Sequence, residues 1–218
     1  MRLGILGGTF DPIHFGHPRA AEEVLEALEL EKIYLIPAAL PPHKDRNPIT
    51  PFQHRLAMTR LAVKKAPDLE AMDLEGRRQG LSFSIETLRE FRKLYKTNLE
   101  LFFILGMDAF MEIKTWKEYQ RLFHYAHFVV IKRPWVESEE LEPFLLSLGV
   151  GFTRGDKGND FVIPSGNVLI YKEVTFMDIS STQIRGMVAA GGSIRFLVPE
   201  SVRLYIMEKG LYNLYGST

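Results

Sequence analysis

The apolar positions of this chain fall into short unbroken runs separated by longer stretches with a helical repeat. Leu3, Ile5 and Leu6 form the first run and read as a buried strand. Residues Lys32 to Ala38, Leu99 to Leu105, Phe128 to Pro134 (with a basic exit at Lys132-Arg133) and Val168 to Tyr171 are further runs of the same kind, and Leu69 to Leu74 is a weaker one. Between them the spacing changes to three and four. Ala20, Ala21, Val24, Leu25 and Leu28 share one face of a helix opening near Gly16. Phe52, Leu56, Met58, Leu61 and Ala62 follow Thr50-Pro51, with proline at the first helical position. Ile85, Leu88, Phe91 and Leu94 follow Ser84, which reads as an N-cap, and Thr87 falls in that helix's first turn. Phe110, Ile113, Trp116 and Tyr119 fit one more helix, as do residues Glu137 to Leu148, and Ile184, Met187 and Val188 fit another behind Ser180.

Buried strands alternating with helices predict an α/β fold: a Rossmann-like open, mostly parallel sheet with helices on both faces. Residues 1–218 read as a single domain, and the Gly-, Asp- and Asn-rich stretch 149–168 reads as a surface excursion. Length agrees, since 218 residues are enough for one sizeable core.

Charge and cysteine content narrow the chemistry. Lys and Arg number 27, as do Asp and Glu, so no global field favours a nucleic acid or a membrane surface, and local sites must supply any anion binding. There is no cysteine, which removes disulfides, thiolate catalysis and cysteine-bound zinc. A core strand that begins at Arg2 leaves no room for a signal peptide, and no apolar run reaches membrane-spanning length, so a cytoplasmic protein is expected.

The first strand runs into Gly7-Gly-Thr-Phe-Asp-Pro-Ile-His14-Phe-Gly-His17. Glycines without Cβ atoms and the free N–H groups of the next helix suit a phosphate. Two imidazoles three residues apart, at that helix mouth, can meet one anion. The spacing is not that of a dinucleotide-binding G-x-G-x-x-G turn. Near the other end, Ser180-Ser-Thr182 opens a helix with Arg185 one turn below Ser181, so hydroxyls, N–H groups and a guanidinium converge on a second anion site.

These two motifs resemble the signatures of nucleotidyltransferases related to class I aminoacyl-tRNA synthetases, and within that superfamily the bacterial nicotinate-nucleotide adenylyltransferases. Further motifs carry the resemblance nearly from end to end: Pro41-Pro-His-Lys44, Ser82-Phe-Ser84, Gly106-Met-Asp108 and Trp116. Where the family has Ser-Tyr-Thr this chain has Ser82-Phe83-Ser84, losing a phenol, and Trp135 stands where the family has glycine after Arg-Pro.

The resemblance implies adenylyl transfer from ATP to nicotinate mononucleotide, giving deamido-NAD and pyrophosphate. It implies His14, His17, Lys44 and Arg185 as catalytic contacts. Gly7, Gly8, Thr9, Phe10, His17, Gly106, Asp108, Ser180, Ser181, Thr182 and Arg185 would bind ATP. His43, Lys44, Ser82, Phe83, Ser84 and Trp116 would bind the mononucleotide. Magnesium is expected to bridge ATP oxygens, with no resident metal site. Trp116 is read either as core or as a stacking partner for the pyridine ring, and Arg55 as a solvated helix arginine rather than a phosphate ligand. The tail from Leu197 to Tyr212 is read as packing alone. No Lys or Arg is found spare in the aromatic motifs, so the helix N–H groups at Ser84 are assigned to the nicotinate carboxylate. A homo-oligomer stays open. So do a nicotinamide-mononucleotide or phosphopantetheine adenylyltransferase, a non-catalytic nucleotide sensor, and a metal hydrolase using His14, His17 and His43.

Overall fold

The computed structural model describes residues 1–42, 49–95, 98–132, 141–156 and 160–213. The chain runs β1 (Arg2–Gly8), α1 (Gly16–Ala27), β2 (Lys32–Pro37), α2 (Phe52–Val63), β3 (Leu69–Ala71), a 3₁₀ turn (Leu74–Arg77) and α3 (Ser84–Leu94). It continues through β4 (Glu100–Gly106), α4 (Met107–Met111), a second 3₁₀ turn (Ile113–Thr115), α5 (Tyr119–Tyr125), β5 (His127–Ile131) and α6 (Leu141–Ser147). The last elements are β6 (Thr153–Arg154), β7 (Asp160–Val162), β8 (Val168–Lys172), α7 (Ser181–Ala189) and α8 (Glu200–Glu208).

Among the described residues the strands form one sheet in the order β3-β2-β1-β4-β5-β8-β7-β6. The first six are parallel, and β7 and β6 are antiparallel additions at one edge. This is the α/β arrangement that the alternating pattern predicts. Strands buried on both faces need apolar residues at successive positions, which is why β1, β2, β4 and β5 are unbroken apolar runs. One face packs Ile5, Phe103, Phe128 and Val130 against α3, α4, α5 and α6. The other packs Leu6, Leu35, Ile104 and Val129 against α1, α2, α7 and α8. Phe128 and Ile104 are fully buried, and each such side chain contributes about 1.5–3 kcal/mol relative to exposure.

The chain moves outward from β1 to β2 and β3, then returns to place β4 on the opposite side of β1. The order reverses there, and the crevice beyond the C-terminal ends of β1 and β4 is where such sheets take ligands.

Three local expectations differ from the structure, and a fourth falls partly outside the described residues. Residues 149–168 are not only a surface excursion: β6 and β7 extend the sheet, and Phe161 and Ile163 are buried in its core. The stretch read as one helix through Trp116 is broken into α4, the 3₁₀ turn and α5, because Trp116 is extended and Glu118 takes a left-handed φ of 51°. The weak strand stops at Ala71, and Leu74 begins the first 3₁₀ turn. The helix expected over Glu137 to Leu148 is described as α6 alone, residues 133–140, Trp135 among them, lying outside the described residues.

Candidate active site

Gly7 and Gly106, at the ends of β1 and β4, border two cavities. The first, of about 240 Å³, is walled by Phe83, Phe103, Trp116, Pro41 and Pro42, with Glu75, Ser82, Ser84, Thr87 and Lys117 among its polar members. The second, of about 390 Å³, is bounded by His14, His17, Lys132, the segment Val174 to Ile179, and Ser180 and Ser181.

The histidine pair stands in the second cavity. The backbone N–H of His14 donates to Nδ1 of His17 at 3.2 Å. That bond needs a lone pair on Nδ1, so the His17 proton sits on Nε2, leaving an N–H donor for a ligand. The two rings lie 3.9 Å apart, and the Phe10 ring meets His17 edge-on at 5.0 Å. Burial pulls the His14 pKa down to about 4. Burial, and after it the neighbouring His14, pulls His17 down to about 3. Both imidazoles are therefore neutral at pH 7 and can act on an anion as N–H donors. His14 Nδ1 is buried with no partner.

The two glycines of the turn differ in their surroundings. A Cβ on Gly7 would meet nothing nearer than Phe103 at 3.8 Å, whereas a Cβ on Gly8 would lie 2.8 Å from the Phe10 ring. Gly8 thus makes room for Phe10. Phe10, at a φ of 50° and 2% exposed, is a core side chain and a support for His17. Gly8 and Thr9 line the first cavity, not the second.

At α7, the Ser180 hydroxyl accepts from Gln183 N–H at 3.1 Å, a capping bond of about 1 kcal/mol. Ser181 donates to the Pro12 carbonyl at 2.9 Å. Arg185 Nη1 donates to the Asp11 carbonyl at 2.7 Å, and its Nη2 to Thr182 Oγ1 at 3.3 Å. The Ser180–Arg185 motif is thereby stitched to the Asp11-Pro12 turn, which brings the two sequence-distant anion motifs to one place. Asp108 is exposed in the first turn of α4, two residues beyond Gly106.

The ring side is assembled from more distant parts. Ser82 Oγ accepts from the backbone N–H of Ala39 and Leu40 and so fixes the exit of β2. Ser84 is not the cap of α3; that position belongs to Phe83, without a side-chain cap bond, and Ser84 is the first helical residue and faces the cavity. Trp116 packs edge-on against Phe103 at 6.2 Å, as its core reading has it, and also lines the cavity. His43 and Lys44 lie outside the described residues.

Several cavity residues carry no local signal. Glu75 is 8% exposed and accepts from Thr87 Oγ1 at 2.6 Å; burial pushes its carboxyl above the usual range, against the pull of Thr87, Ser82 and Arg78. Lys117 is a cation at the cavity wall, though not a spare one: its ammonium lies 4.5 Å over the Phe83 ring and 2.6 Å from Glu86 Oε1. Arg55 is not solvated. At 1% exposure it donates to the carbonyls of Thr50, Thr9, Ala38 and Ala39 at 2.6–3.0 Å, pinning the ends of β1 and β2 together. Burial lowers its pKa and the nearby Asp11 opposes that shift. Among the described residues no group of three His, Asp or Glu is placed to hold a metal, and no helix is long and apolar enough to cross a membrane.

The chain is similar to known proteins along nearly its whole length. The cytidylyltransferase-like family pattern matches residues 5–187. A probable nicotinate-nucleotide adenylyltransferase of Desulfatibacillum aliphaticivorans is 46% identical over 97% of this chain and 100% of its own length. One from Syntrophotalea carbinolica is 45% identical over 97% of each. The fold of Plasmodium falciparum nicotinic acid mononucleotide adenylyltransferase, solved with NaAD, superposes with a TM-score of 0.74 at 19% identity, covering 97% of both chains. At that identity the likeness speaks to fold, while the full-length relatives speak to kinship: the chain belongs to the cytidylyltransferase-like family, in the group of the nicotinate-nucleotide adenylyltransferases.

Proposed function

We infer that the protein transfers the adenylyl group of ATP to nicotinate mononucleotide, forming deamido-NAD and pyrophosphate. The observation that carries this reading is the pair of cavities meeting at Gly7 and Gly106, one aromatic and one faced by the histidine pair and the α7 entrance. The pyridine ring occupies the first, against Trp116 and Phe83. The ATP molecule occupies the second, with its ribose near Asp108. The 5′-phosphate of the mononucleotide and the α-phosphate of ATP then meet at the shared glycines.

In this reading a phosphate oxygen of the mononucleotide attacks the α-phosphorus of ATP in line, and the bond from that phosphorus to the bridging oxygen breaks as pyrophosphate leaves with the electron pair. The nucleophile is already ionised at neutral pH, so no general base is needed. The chain's contribution is position and charge. His17 Nε2–H, and His14 beside it, donate to the α-phosphate as negative charge shifts through it. Arg185 and the free N–H groups opening α7 take the leaving pyrophosphate. Magnesium enters with ATP as part of that substrate, held by phosphate oxygens and water. The carboxylate of nicotinate is met by the N–H groups opening α3 and by Lys117, which an amide would satisfy less well.

The test is direct. With ATP, magnesium and a panel of mononucleotides, pyrophosphate release should require a pyridine mononucleotide and run fastest with nicotinate mononucleotide. Equal or faster turnover with the amide would move the protein to the nicotinamide reading, and release with phosphopantetheine alone would overturn the pyridine assignment.

A further inference from the structure

The tail beyond α8 does more than pack. Leu211 N–H donates back to Ile206 O at 3.0 Å, and Gly210 and Tyr212 both take left-handed φ, 60° and 66°. A bulky residue seldom adopts that conformation. Here it turns the Tyr212 phenol onto Asp11, whose Oδ1 accepts from it at 2.7 Å across 201 positions of sequence. Asp11 Oδ2 accepts from Thr50 N–H at 3.2 Å. The side chain of Asp11, 4% exposed, is thus held at both oxygens, one by the C-terminal segment and one by the entrance to α2. Its own carbonyl is the acceptor of the Arg185 guanidinium at 2.7 Å. Burial pushes the phenol's pKa up, the Asp11 charge adds to that, and the phenol stays protonated and able to donate throughout the working pH range.

We propose that Tyr212 is a positioning residue for adenylyl transfer, a latch from the C-terminal segment that fixes Asp11 and through its carbonyl aims Arg185 at the leaving phosphates. The side chain reaches neither cavity wall; it acts through another residue. Arg55 completes the device from the other side, tying Thr50 and Thr9 to the same turn. A guanidinium whose Nη1 is anchored to a fixed carbonyl presents its remaining N–H groups in one direction, and the ordering cost is met in the free protein instead of at ATP binding.

This inference rests on the reading of Arg185 as the pyrophosphate clamp, and its test separates the two. Tyr212→Phe removes one hydroxyl and leaves the ring. Expected are a three- to tenfold rise in KM for ATP, a KM for the mononucleotide within twofold of the parent, and a melting temperature within a few degrees. In an Arg185→Ala background the same change should alter the ATP constants by less than twofold, because the residue it works through is gone. Asp11→Asn, which keeps an acceptor for the phenol, should cost less than Asp11→Ala. Full additivity of Tyr212→Phe with Arg185→Ala, or an equal loss of affinity for both substrates together with lower thermal stability, would reduce the tail to packing and overturn the proposal. Equilibrium binding of inorganic pyrophosphate gives a readout independent of turnover. Weaker pyrophosphate binding in Tyr212→Phe, in a protein that fails to release pyrophosphate from ATP, would keep the latch and reject the enzyme reading. Unchanged binding would reject the latch whatever the turnover.

Discussion

The two cavities that meet at Gly7 and Gly106 are built by opposite means. The one against α1 and α7 is made of contiguous motifs, a glycine turn with two histidines and a serine-capped helix entrance, stitched together by Ser181 and Arg185 donating to Pro12 and Asp11. The one against α3 and Trp116 is made of side chains from scattered elements: Phe103 from β4, Phe83 before α3, Glu75 from a 3₁₀ turn and Lys117 before α5. Triphosphates are alike in every nucleotide, so backbone N–H groups at helix starts suffice for them. A ring with a particular substituent needs shaped walls and individually placed polar groups. In the proposed assignment, the reaction is therefore encoded locally and the choice of acceptor in tertiary packing.

Substitutions on each side should therefore fail differently. The largest loss is expected at the junction. His17→Ala removes the Nε2–H donor and should lower kcat by about 10²–10³ while the protein stays folded; single-turnover rates and a melting curve check both parts, and an unchanged kcat would remove His17 from the chemistry. Lys117→Gln, on the ring side, should cut the nicotinate-over-nicotinamide ratio of kcat/KM by about three- to tenfold, without touching the ATP constants. Because Lys117 is half-exposed and already pairs with Glu86, the effect should be smaller in higher salt.

The smallest effect is in pH. Neutral His14 and His17, with folded pKa values of about 4 and 3 against an unfolded value of 6.5, leave the folded state binding fewer protons than the unfolded one below pH 6.5. Their contribution to stability is complete above that value and falls away as pH drops from 6.5 towards 4. Denaturant midpoints across that window should decline, and His14→Gln should flatten the decline. Activity, in contrast, should not show an acid limb near 6.5 belonging to these histidines in the free enzyme. A limb near 6 would instead follow the second ionisation of the mononucleotide's phosphate, about 6 for a phosphate monoester, and would persist in His14→Gln.

Much of the fold was legible because a parallel sheet writes itself as unbroken apolar runs, and β1, β2, β4, β5 and β8 stand close to where those runs lie. The motifs proposed to bind phosphate stood out for a related reason: Gly7 lies at the end of a strand, and His14, His17 and Ser180 lie within a turn of a helix start. What stayed hidden depends on partners far away in sequence. Arg55 looks like any polar helix residue until Thr9, Ala38, Ala39 and Thr50 surround it. Glu75 finds Thr87 twelve residues later, Lys117 finds Glu86 thirty-one residues earlier, and Tyr212 finds Asp11 at the other end of the chain. Ser84 misled because its type suits a cap, while packing of Phe83 sets the helix start one position differently. The stretch 149–168 lacks a strand-like run, yet edge pairing with β8 needs only short segments, and Phe161 and Ile163 supply its core contacts.

One comparison of two variants bears on the whole arrangement. Steady-state constants for both substrates, measured on Trp116→Ala and Arg185→Ala, read the two cavities separately. Trp116→Ala should raise KM for nicotinate mononucleotide by roughly tenfold, from lost aromatic contact, and leave KM for ATP within twofold. Arg185→Ala should do the reverse, raising KM for ATP by about tenfold or more as a charge-assisted phosphate contact is lost. If Trp116→Ala weakened ATP alone, or Arg185→Ala the mononucleotide alone, the substrates would lie the other way round, and the assignment of ring and triphosphate to the two cavities would be contradicted.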